Sequence, residues 1–268
     1  MSKQFKDKVV FITGAGAGQG YAVAKAFAKE GANVVGFDLE RPITYPQYNA
    51  GNRDKLVLLQ QEIEAAGGVF LPVYGDVRKQ TEVQAAVDQV IAKFKKIDIL
   101  FNNAGICAYG SCHELSEEEW DSMLDINLKG AFLVGKAVIP YLIEKRAGII
   151  INNSSIAGLR GMNRLSHYAA SKWGLTGLSK SWAIELAQHN IRVISLHPTG
   201  VNTPMNDGLA AMEGATPIEI AERSAGNLLD TPWLEVEDVV NSVLFLASDQ
   251  ARFITGSEFV IDAGLLTR

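Results

Sequence analysis

Three Tyr-x-x-x-Lys pairs occur in the 268-residue sequence: Tyr21/Lys25, Tyr141/Lys145 and Tyr168/Lys172. On a helix, positions i and i+4 share a face, so an ammonium can sit near a phenol. The cation stabilises phenolate and lowers a pKa that begins near about 10. A phenolate held in this way can take the proton of an alcohol while hydride leaves the carbinol carbon. Spacing alone does not choose among the pairs, because amphipathic helices produce such pairs by accident. Context favours the third. Ser155 stands thirteen residues before Tyr168, where Lys8 and Leu128 stand before the other two tyrosines. Lying just beyond an apolar run, Ser155 can donate to a substrate oxygen as negative charge develops there.

A second constellation lies near the start. Thr13-Gly14-Ala15-Gly16-Ala17-Gly18-Gln19-Gly20 follows the first apolar run and opens a helical pattern. A diphosphate needs close backbone approach and free amides at a helix N-terminus, and glycines allow both. The strict GxGxxG spacing is absent, because Gln19 stands at its third position; the pattern is TGxxxGxG. A tight βα turn is the alternative reading. Asp38, with Leu39 after it, ends the second apolar run 24 residues beyond Gly14. A carboxylate there can accept from both ribose hydroxyls and repels a 2′-phosphate, which favours NAD over NADP. Arg41 is a nearby counter-signal, and a turn cap is the plainer role for Asp38. Asp76-Val77 and Asn102-Asn103-Ala104-Gly105 follow the third and fourth runs. Ala104-Gly105 lets the chain pass close to a cofactor, whereas Asn102 and Asn103 could instead pin neighbouring backbone.

These residues need a scaffold that brings strand ends together. Val9–Ile12, Val34–Phe37, Val69–Val73, Ile97–Phe101, Gly148–Ile151, Ile191–Leu196 and Glu258–Ile261 read as strands, mostly apolar throughout and therefore covered on both faces. Gly20–Glu30, Arg53–Ala66, Thr81–Phe94, Ser116–Glu144, His167–Gln188 and Glu237–Leu246 read as helices, the fourth opened by a Ser116/Glu119 capping box. The βαβα rhythm predicts an α/β fold, a doubly wound parallel sheet with helices on both faces, formed by one domain over 1–268. Two stretches interrupt it. Leu39–Asn52 is longer than the usual βα loop of roughly 2–6 residues, and is either functional or a surface insertion. Asn202–Trp233 reads as a long, flexible loop that caps the substrate.

Composition narrows the class. Apolar residues make up 47% and charged residues 21%, ordinary for a chain with a sizeable core. A net charge of −5 without basic runs lacks the footprint of duplex nucleic-acid binding. No stretch approaches about 18 consecutive apolar residues, so no membrane span is expected. Cys107 and Cys112 are too few for a disulfide framework and suit a reducing, cytoplasmic compartment. The basic start runs into only four apolar residues, so a signal peptide is not expected.

Taken together, Thr13–Gly20, Asp76, Asn102–Gly105, Asn127, Ser155, Tyr168, Lys172 and Pro198–Thr203 resemble the short-chain dehydrogenase/reductase family over nearly the full chain. The resemblance implies a three-layer α/β/α Rossmann fold, with Tyr168 as acid/base and Ser155 as donor to the substrate oxygen. Lys172 would contact the nicotinamide ribose and depress the Tyr168 pKa. Asn127, in Asp125-Ile126-Asn127-Leu128-Lys129-Gly130, matches the residue that anchors a proton-relay water. Val201 and Thr203 match contacts to the carboxamide and diphosphate of NAD. Gly14, Gly18, Gln19, Gly20, Asp38, Leu39, Asp76, Val77, Asn103, Ala104, Gly105 and Pro198 would complete the cradle. Thr199 departs from the family, which has Gly after Pro, and a local change in the pocket roof is expected. A homotetramer is implied, with Ser116–Glu144 and His167–Gln188 at subunit contacts.

The chain is also similar to the carveol-dehydrogenase-like, mycofactocin-coupled type of enzyme. Gly18-Gln19-Gly20, the segment after Asp38, His197–Met205 and Ala251–Gly256 carry this likeness. It implies oxidation of secondary alcohols on terpenoid or alicyclic rings to ketones. In some relatives NAD is held beneath the extra segment and electrons pass to an external redox partner. A 3-oxoacyl reductase is the rival within this chemistry, and Asp38 speaks against its preference for NADP. A catalytically silent NAD-binding protein is the rival outside it, and the intact Asn127/Ser155/Tyr168/Lys172 set speaks against that.

Cys107, Ile156, Met162, Leu165, Met205 and Leu209 are candidates for an apolar substrate pocket, with Met212 nearby, since Met adapts to irregular ligands. Core packing explains any one of them equally well. Cys107, Cys112 and His113 lack partners at metal-ligand spacing, and His189 and His197 belong to different elements, so no metal is expected. His167 lies about 100° around the helix from Tyr168 and reads as a first-turn or subunit contact. Lys93–Lys96 reads as a solvated helix end.

Overall fold

A computed structural model describes residues 3–48, 53–224 and 226–267. Outside it lie the first two residues of the basic start, Asn49–Asn52 of the expected insert, Ala225 of the expected cap, and Arg268. Seven strands, β1 (Val9–Thr13), β2 (Asn33–Asp38), β3 (Val69–Tyr74), β4 (Ile99–Asn102), β5 (Gly148–Asn153), β6 (Ile191–Pro198) and β7 (Glu258–Ile261), form one parallel sheet. Their order is β3-β2-β1-β4-β5-β6-β7. The chain winds outward from β1 to β3, then returns to place β4 on the other side of β1. Such a reversal opens a crevice at the strand C-termini, where ligands of open α/β sheets bind.

Strand side chains alternate between faces, and β1 shows what this does to an uninterrupted apolar run. Val10 and Ile12 join a core with Val23 and Phe27 of α1 (Gly18–Lys29), Leu56 and Leu59 of α2 (Arg53–Ala65), and Val239 and Val243 of α9 (Val236–Ala247). Val9 and Phe11 join the opposite core. It holds Val83 and Val87 of α3 (Gln80–Phe94), Val134 and Val138 of α5 (Ala131–Lys145), and Trp182 of α6 (Ser166–Leu186). The sheet is thus sandwiched between two helical layers, the doubly wound α/β architecture expected from the sequence.

Two expectations need refinement. The helix expected over Ser116–Glu144 runs without a break from Glu117 to Lys145, as α4 (Glu117–Leu124), a π-helical turn (Asp125–Gly130) and α5. The Ser116/Glu119 capping box opens it as expected: Glu119 N donates to Ser116 Oγ (3.2 Å), and Ser116 N donates to Glu119 Oε2 (2.9 Å). The full run of 29 residues, with hydropathy 1.4 in its most apolar window, is long and apolar enough to cross a membrane. In this fold Val134, Val138 and Leu142 pack it against the sheet instead. The second concerns Asn202–Trp233, which contains two helices, α7 (Pro204–Met212) and α8 (Pro217–Ser224). Pro204 starts α7 at the position where a missing N–H costs nothing. The excursion is tied at its root, where Asn202 N donates to Leu234 O (2.9 Å) and Leu234 N to Gly200 O (2.8 Å).

Candidate active site

The glycine turn joins β1 to α1 and lies at the crevice. A side chain at Gly20 would run into the carbonyl of Gly14 and lie 2.6 Å from Asn103 Nδ2, so only glycine lets α1 start this close to the turn. Gly20 is therefore a packing residue and does not line the cleft, unlike Gly14, Gly18 and Gln19. The Asp38 carboxylate accepts from Gly16 N through Oδ2 and from Leu39 N through Oδ1, both at 2.7 Å. It fills the turn-capping role while facing the cleft, and a carboxylate has about four lone-pair sites, enough for further donors.

Asn103 and Asn102 behave as structural pins. Asn103 Nδ2 donates to Thr13 O (3.0 Å) and Gly14 O (3.2 Å), and Asn102 Nδ2 donates to Asn152 Oδ1 (2.9 Å) and Ala131 O (3.2 Å). Asn153 Nδ2 joins Gln19 Oε1 (2.8 Å) to Asn103 Oδ1 (2.9 Å), linking the start of α1 to the ends of β4 and β5. Asp76 faces the cleft but is gripped by Arg78, whose Nε and Nη2 lie 2.9 and 2.6 Å from Oδ2. Burial pushes its carboxyl up, yet the Arg78 hydrogen bonds outweigh that and hold it below the usual range. Leu39, Val77, Ala104, Gly105, Pro198, Val201 and Thr203 line the same cleft. Thr203, at the start of α7, lies across the turn: a Cβ at Gly18 would be 3.3 Å from it.

Tyr168 and Lys172, on the first turns of α6, meet Ser155 at the end of β5 in this cleft. Lys172 Nζ lies 5.6 Å from the Tyr168 ring centre and donates to Asn153 O (2.7 Å). The expected depression of the Tyr168 pKa by Lys172 is not what this geometry gives. Tyr168 keeps some exposure to the cleft, but protein surrounds it, and burial pushes its pKa well up; a Ser155 hydrogen bond pulls the other way. Lys172 is itself pulled down to about 8 by burial, because a low-dielectric site disfavours either charged form. The other two pairs are spent elsewhere: Lys25 binds Glu62 at 2.7 Å, and Lys145 binds the buried Asp98. Lys96 also reaches Asp98, at 3.2 Å, so the Lys93–Lys96 end is not simply solvated.

Asn127 sits in the π-helical turn, buried and outside the cleft lining. Its Oδ1 accepts from Ile106 N (2.8 Å), and its Nδ2 donates to Ile106 O (2.9 Å) and Ser171 Oγ (3.1 Å). Ser171 Oγ in turn donates to Tyr168 O (2.7 Å). Asn127 thus ties the chain after β4 to the helix that carries Tyr168.

One end of the cleft opens into an apolar chamber. Cys107, Leu165 and Leu209 cluster there with Tyr109, Met162, Met205 and Tyr168, and Ile156 lines it too. All six residues expected in the pocket line the cleft, whose volume is about 370 Å³. Burial pushes the Cys107 thiol up to about 12, so it stays neutral and serves as apolar wall. Met212 lies outside the lining and is exposed. Among the described residues, no group of three or more His, Cys, Asp or Glu side chains could hold a metal ion.

Several further residues line the cleft, most of them within the two stretches that interrupt the βα rhythm. Tyr48, from the segment after β2, reaches the chamber and donates to Cys107 O (2.6 Å). Lys55 of α2 lines the far end, and Ile220, Ala221 and Trp233 belong to the excursion after β6. His167, in the first turn of α6, is fully buried, with Nε2 3.0 Å from Tyr45 OH; of the two roles expected, the structure gives the first-turn contact.

The sequence pattern described as short chain dehydrogenase matches residues 8–214. A (−)-trans-carveol dehydrogenase of Rhodococcus erythropolis is 39% identical, over 96% of each chain. A 3-oxoacyl-[acyl-carrier-protein] reductase of Thermotoga maritima is 36% identical, over 98% of this chain and 99% of its own. Among solved structures, carveol dehydrogenase from Mycobacterium avium in complex with NAD superposes with a TM-score of 0.94 at 32% identity, covering 99% of this chain and all of that one. A parallel sheet reversing at β1, a glycine turn at that reversal and a Ser–Tyr–Lys set beside it agree with these matches: the chain belongs to the short-chain dehydrogenase family.

Proposed function

We propose that this protein is an NAD-dependent oxidoreductase that interconverts an apolar, cyclic secondary alcohol and its ketone. One observation carries the reading. Ser155, Tyr168 and Lys172 converge where the polar, glycine-walled end of the cleft meets the apolar cluster of Cys107, Leu165 and Leu209. Tyr168 belongs to both, lining the cleft and packing on that cluster.

The cradle fits a dinucleotide. Gly14, Gly18 and Gln19 would lie against the diphosphate, Asp38 and Leu39 against the adenosine ribose, and Asp76 and Val77 against the adenine. Asn103, Ala104, Gly105, Lys172, Pro198, Val201 and Thr203 would hold the nicotinamide half, and Gly20 supports the turn. Bound NAD supplies the hydride acceptor, and its reduced form the donor. The remaining chemistry belongs to the chain. Ser155 donates a hydrogen bond to the substrate oxygen, favouring the alkoxide-like charge of the transition state. Tyr168 holds the proton that moves to or from that oxygen. A phenol whose pKa is raised by burial stays protonated, which suits delivery to a ketone. The Ser155 hydrogen bond pulls the other way, toward the phenolate that alcohol oxidation requires. Asn127 acts from behind, fixing the chain around Ile106 and the first turn of α6.

The carveol-dehydrogenase relatives support a ring-bearing alcohol as substrate. The segment after Asp38 would cover the cofactor, and if it traps NAD, an external redox partner must reoxidise it. Exchange of bound for free NAD within seconds would exclude trapping. A homotetramer, supported by Trp173 (52% exposed) and Ile184 (81% exposed) on α6, and a cytoplasmic location complete the reading. Light scattering tests the assembly. The reductase relative favours a second reading, a 3-oxoacyl reductase; Asp38, placed where a 2′-phosphate would be repelled, stands against it.

The deciding experiment is a fluorescence assay for NADH with carveol, cyclohexanol and a 3-oxoacyl thioester, using NAD(H) and NADP(H) in parallel. Turnover of the ring alcohols with NAD is expected, and Tyr168→Phe should abolish it while NAD binding survives. Reduction of the thioester with NADPH alone would overturn the reading.

A further inference from the structure

Tyr48 occupies an unusual place for a residue of a long βα connection. Its hydroxyl donates to Cys107 O (2.6 Å) and accepts from Cys107 N (3.3 Å), so its polar end is held by the chain that follows β4. Burial also raises its pKa, which keeps the phenol neutral. Its ring lies on the cap. A Cβ added at Gly208 would stand 2.5 Å from Tyr48 Cδ1 and 2.8 Å from Cδ2, so the ring rests on bare backbone of α7. Tyr48 lines the cleft and Gly208 does not, so the ring covers the α7 backbone at Gly208, while Met205 and Leu209 of the same helix face the chamber. One side chain therefore joins three separate pieces of chain: the segment after β2, the chain after β4 and the cap.

We propose that Tyr48 is a specificity-determining residue that closes one end of the chamber and sets how bulky an alcohol it admits, with Gly208 fixing the position of the ring. The inference rests on the reading of the chamber as an alcohol and ketone site. Because the hydroxyl is already engaged by Cys107, the surface offered to substrate is the aromatic ring. An aromatic wall of this kind favours the flat apolar bulk of a single ring and obstructs a second one. A methyl at Gly208 would drive the ring toward the chamber, and removal of the ring would open it.

The test compares a monocyclic with a bicyclic ligand, as kcat/KM for cyclohexanol and borneol. Dissociation constants for cyclohexanone and camphor are read in parallel from quenching of bound NADH fluorescence. Tyr48→Ala should raise the bicyclic-to-monocyclic ratio at least fivefold, and Tyr48→Phe should raise it less. Gly208→Ala should lower the ratio, and should lose that effect in the Tyr48→Ala background. A Tyr48→Ala ratio within twofold of the parent, or an equal loss for both ligands, would overturn the proposal. So would a Gly208→Ala effect that persists without the ring. Binding of the ketones without turnover of either alcohol would fail the catalytic reading and leave the Tyr48 ratio measurable. Binding of neither ketone to the parent protein would overturn both.

Discussion

His197 Nδ1 lies 2.7 Å from the carbonyl oxygen of Ser155. A carbonyl only accepts, so Nδ1 carries the proton, and Nε2 accepts from the Ser195 hydroxyl at 2.9 Å. The neutral ring thereby fixes the backbone of the residue whose hydroxyl would meet the substrate. Replacement by Phe removes one hydrogen bond from each of Ser155 O and Ser195 Oγ, which keep Gly158 N (2.9 Å) and Ser257 O (3.4 Å), at a cost of about 0.5–1.5 kcal/mol per bond. His197→Phe should lower kcat more than it raises KM, with the cofactor dissociation constant nearly unchanged. Steady-state kinetics beside an NADH titration checks the split.

Acid should destabilise the fold through two histidines. Burial holds His167 and His197 below the ordinary value of 6.5. Glu119 opposes this for His167; for His197 the Ser155 hydrogen bond and Glu258 oppose it, while Lys172 and Lys180 add to it. Below 6.5 the unfolded chain binds more protons than the folded one, so stability rises with pH there. The stabilisation is complete above that value and is lost as pH falls toward the lower folded-state values. Thermal midpoints should drop as pH falls from 7 to 5; a level profile across that range would contradict this.

Cofactor choice should turn on Asp38. Asp38→Ser removes the charge that opposes a 2′-phosphate, and Lys55 lines the same cleft. The ratio of kcat/KM for NADP over NAD should rise tenfold or more, equivalent to about 1.4 kcal/mol. NAD use should weaken as well, because Gly16 N and Leu39 N lose their acceptor.

Asn127 offers a stability test. Alanine there leaves Ile106 N and O without their partner in a buried site, a loss of about 1–3 kcal/mol. Asn127→Asp should cost more, since an acceptor then faces the Ile106 carbonyl. Urea unfolding of both variants gives the comparison.

Much of the scaffold could be read from local pattern. The apolar runs at Val9–Ile12 and Ile191–Leu196 were recognisable because both of their faces are covered, and the structure extends them only to Thr13 and Pro198. The Ser155/Tyr168/Lys172 set was visible because its spacing reflects one strand end and one helix face. The π-helical turn was hidden, since Asp125–Gly130 keeps the composition of an ordinary helix and its backbone pairing leaves no mark in residue type. The partners of Tyr48 and His167 were hidden for another reason: each lies far along the chain, Cys107 and Tyr45 respectively. The prolines and glycines of Asn202–Trp233 pointed to a loop, although Pro204 and Pro217 start helices there.

The paired hydrogen bonds between Gly200, Asn202 and Leu234 bring the entry and exit of that excursion to a single point. Among the described residues, the stretch between them adds no strand to the sheet and is tied to the rest of the chain at few points, among them Leu228 N and Leu229 N on Ala263 O and the Arg164–Glu213 ion pair. Relatives could therefore trade this stretch as a cassette to change their substrates while the hydride-transfer floor stays fixed. The Tyr48 ring resting on Gly208 limits that freedom, because a transplanted cassette must match the segment after β2 or arrive together with it.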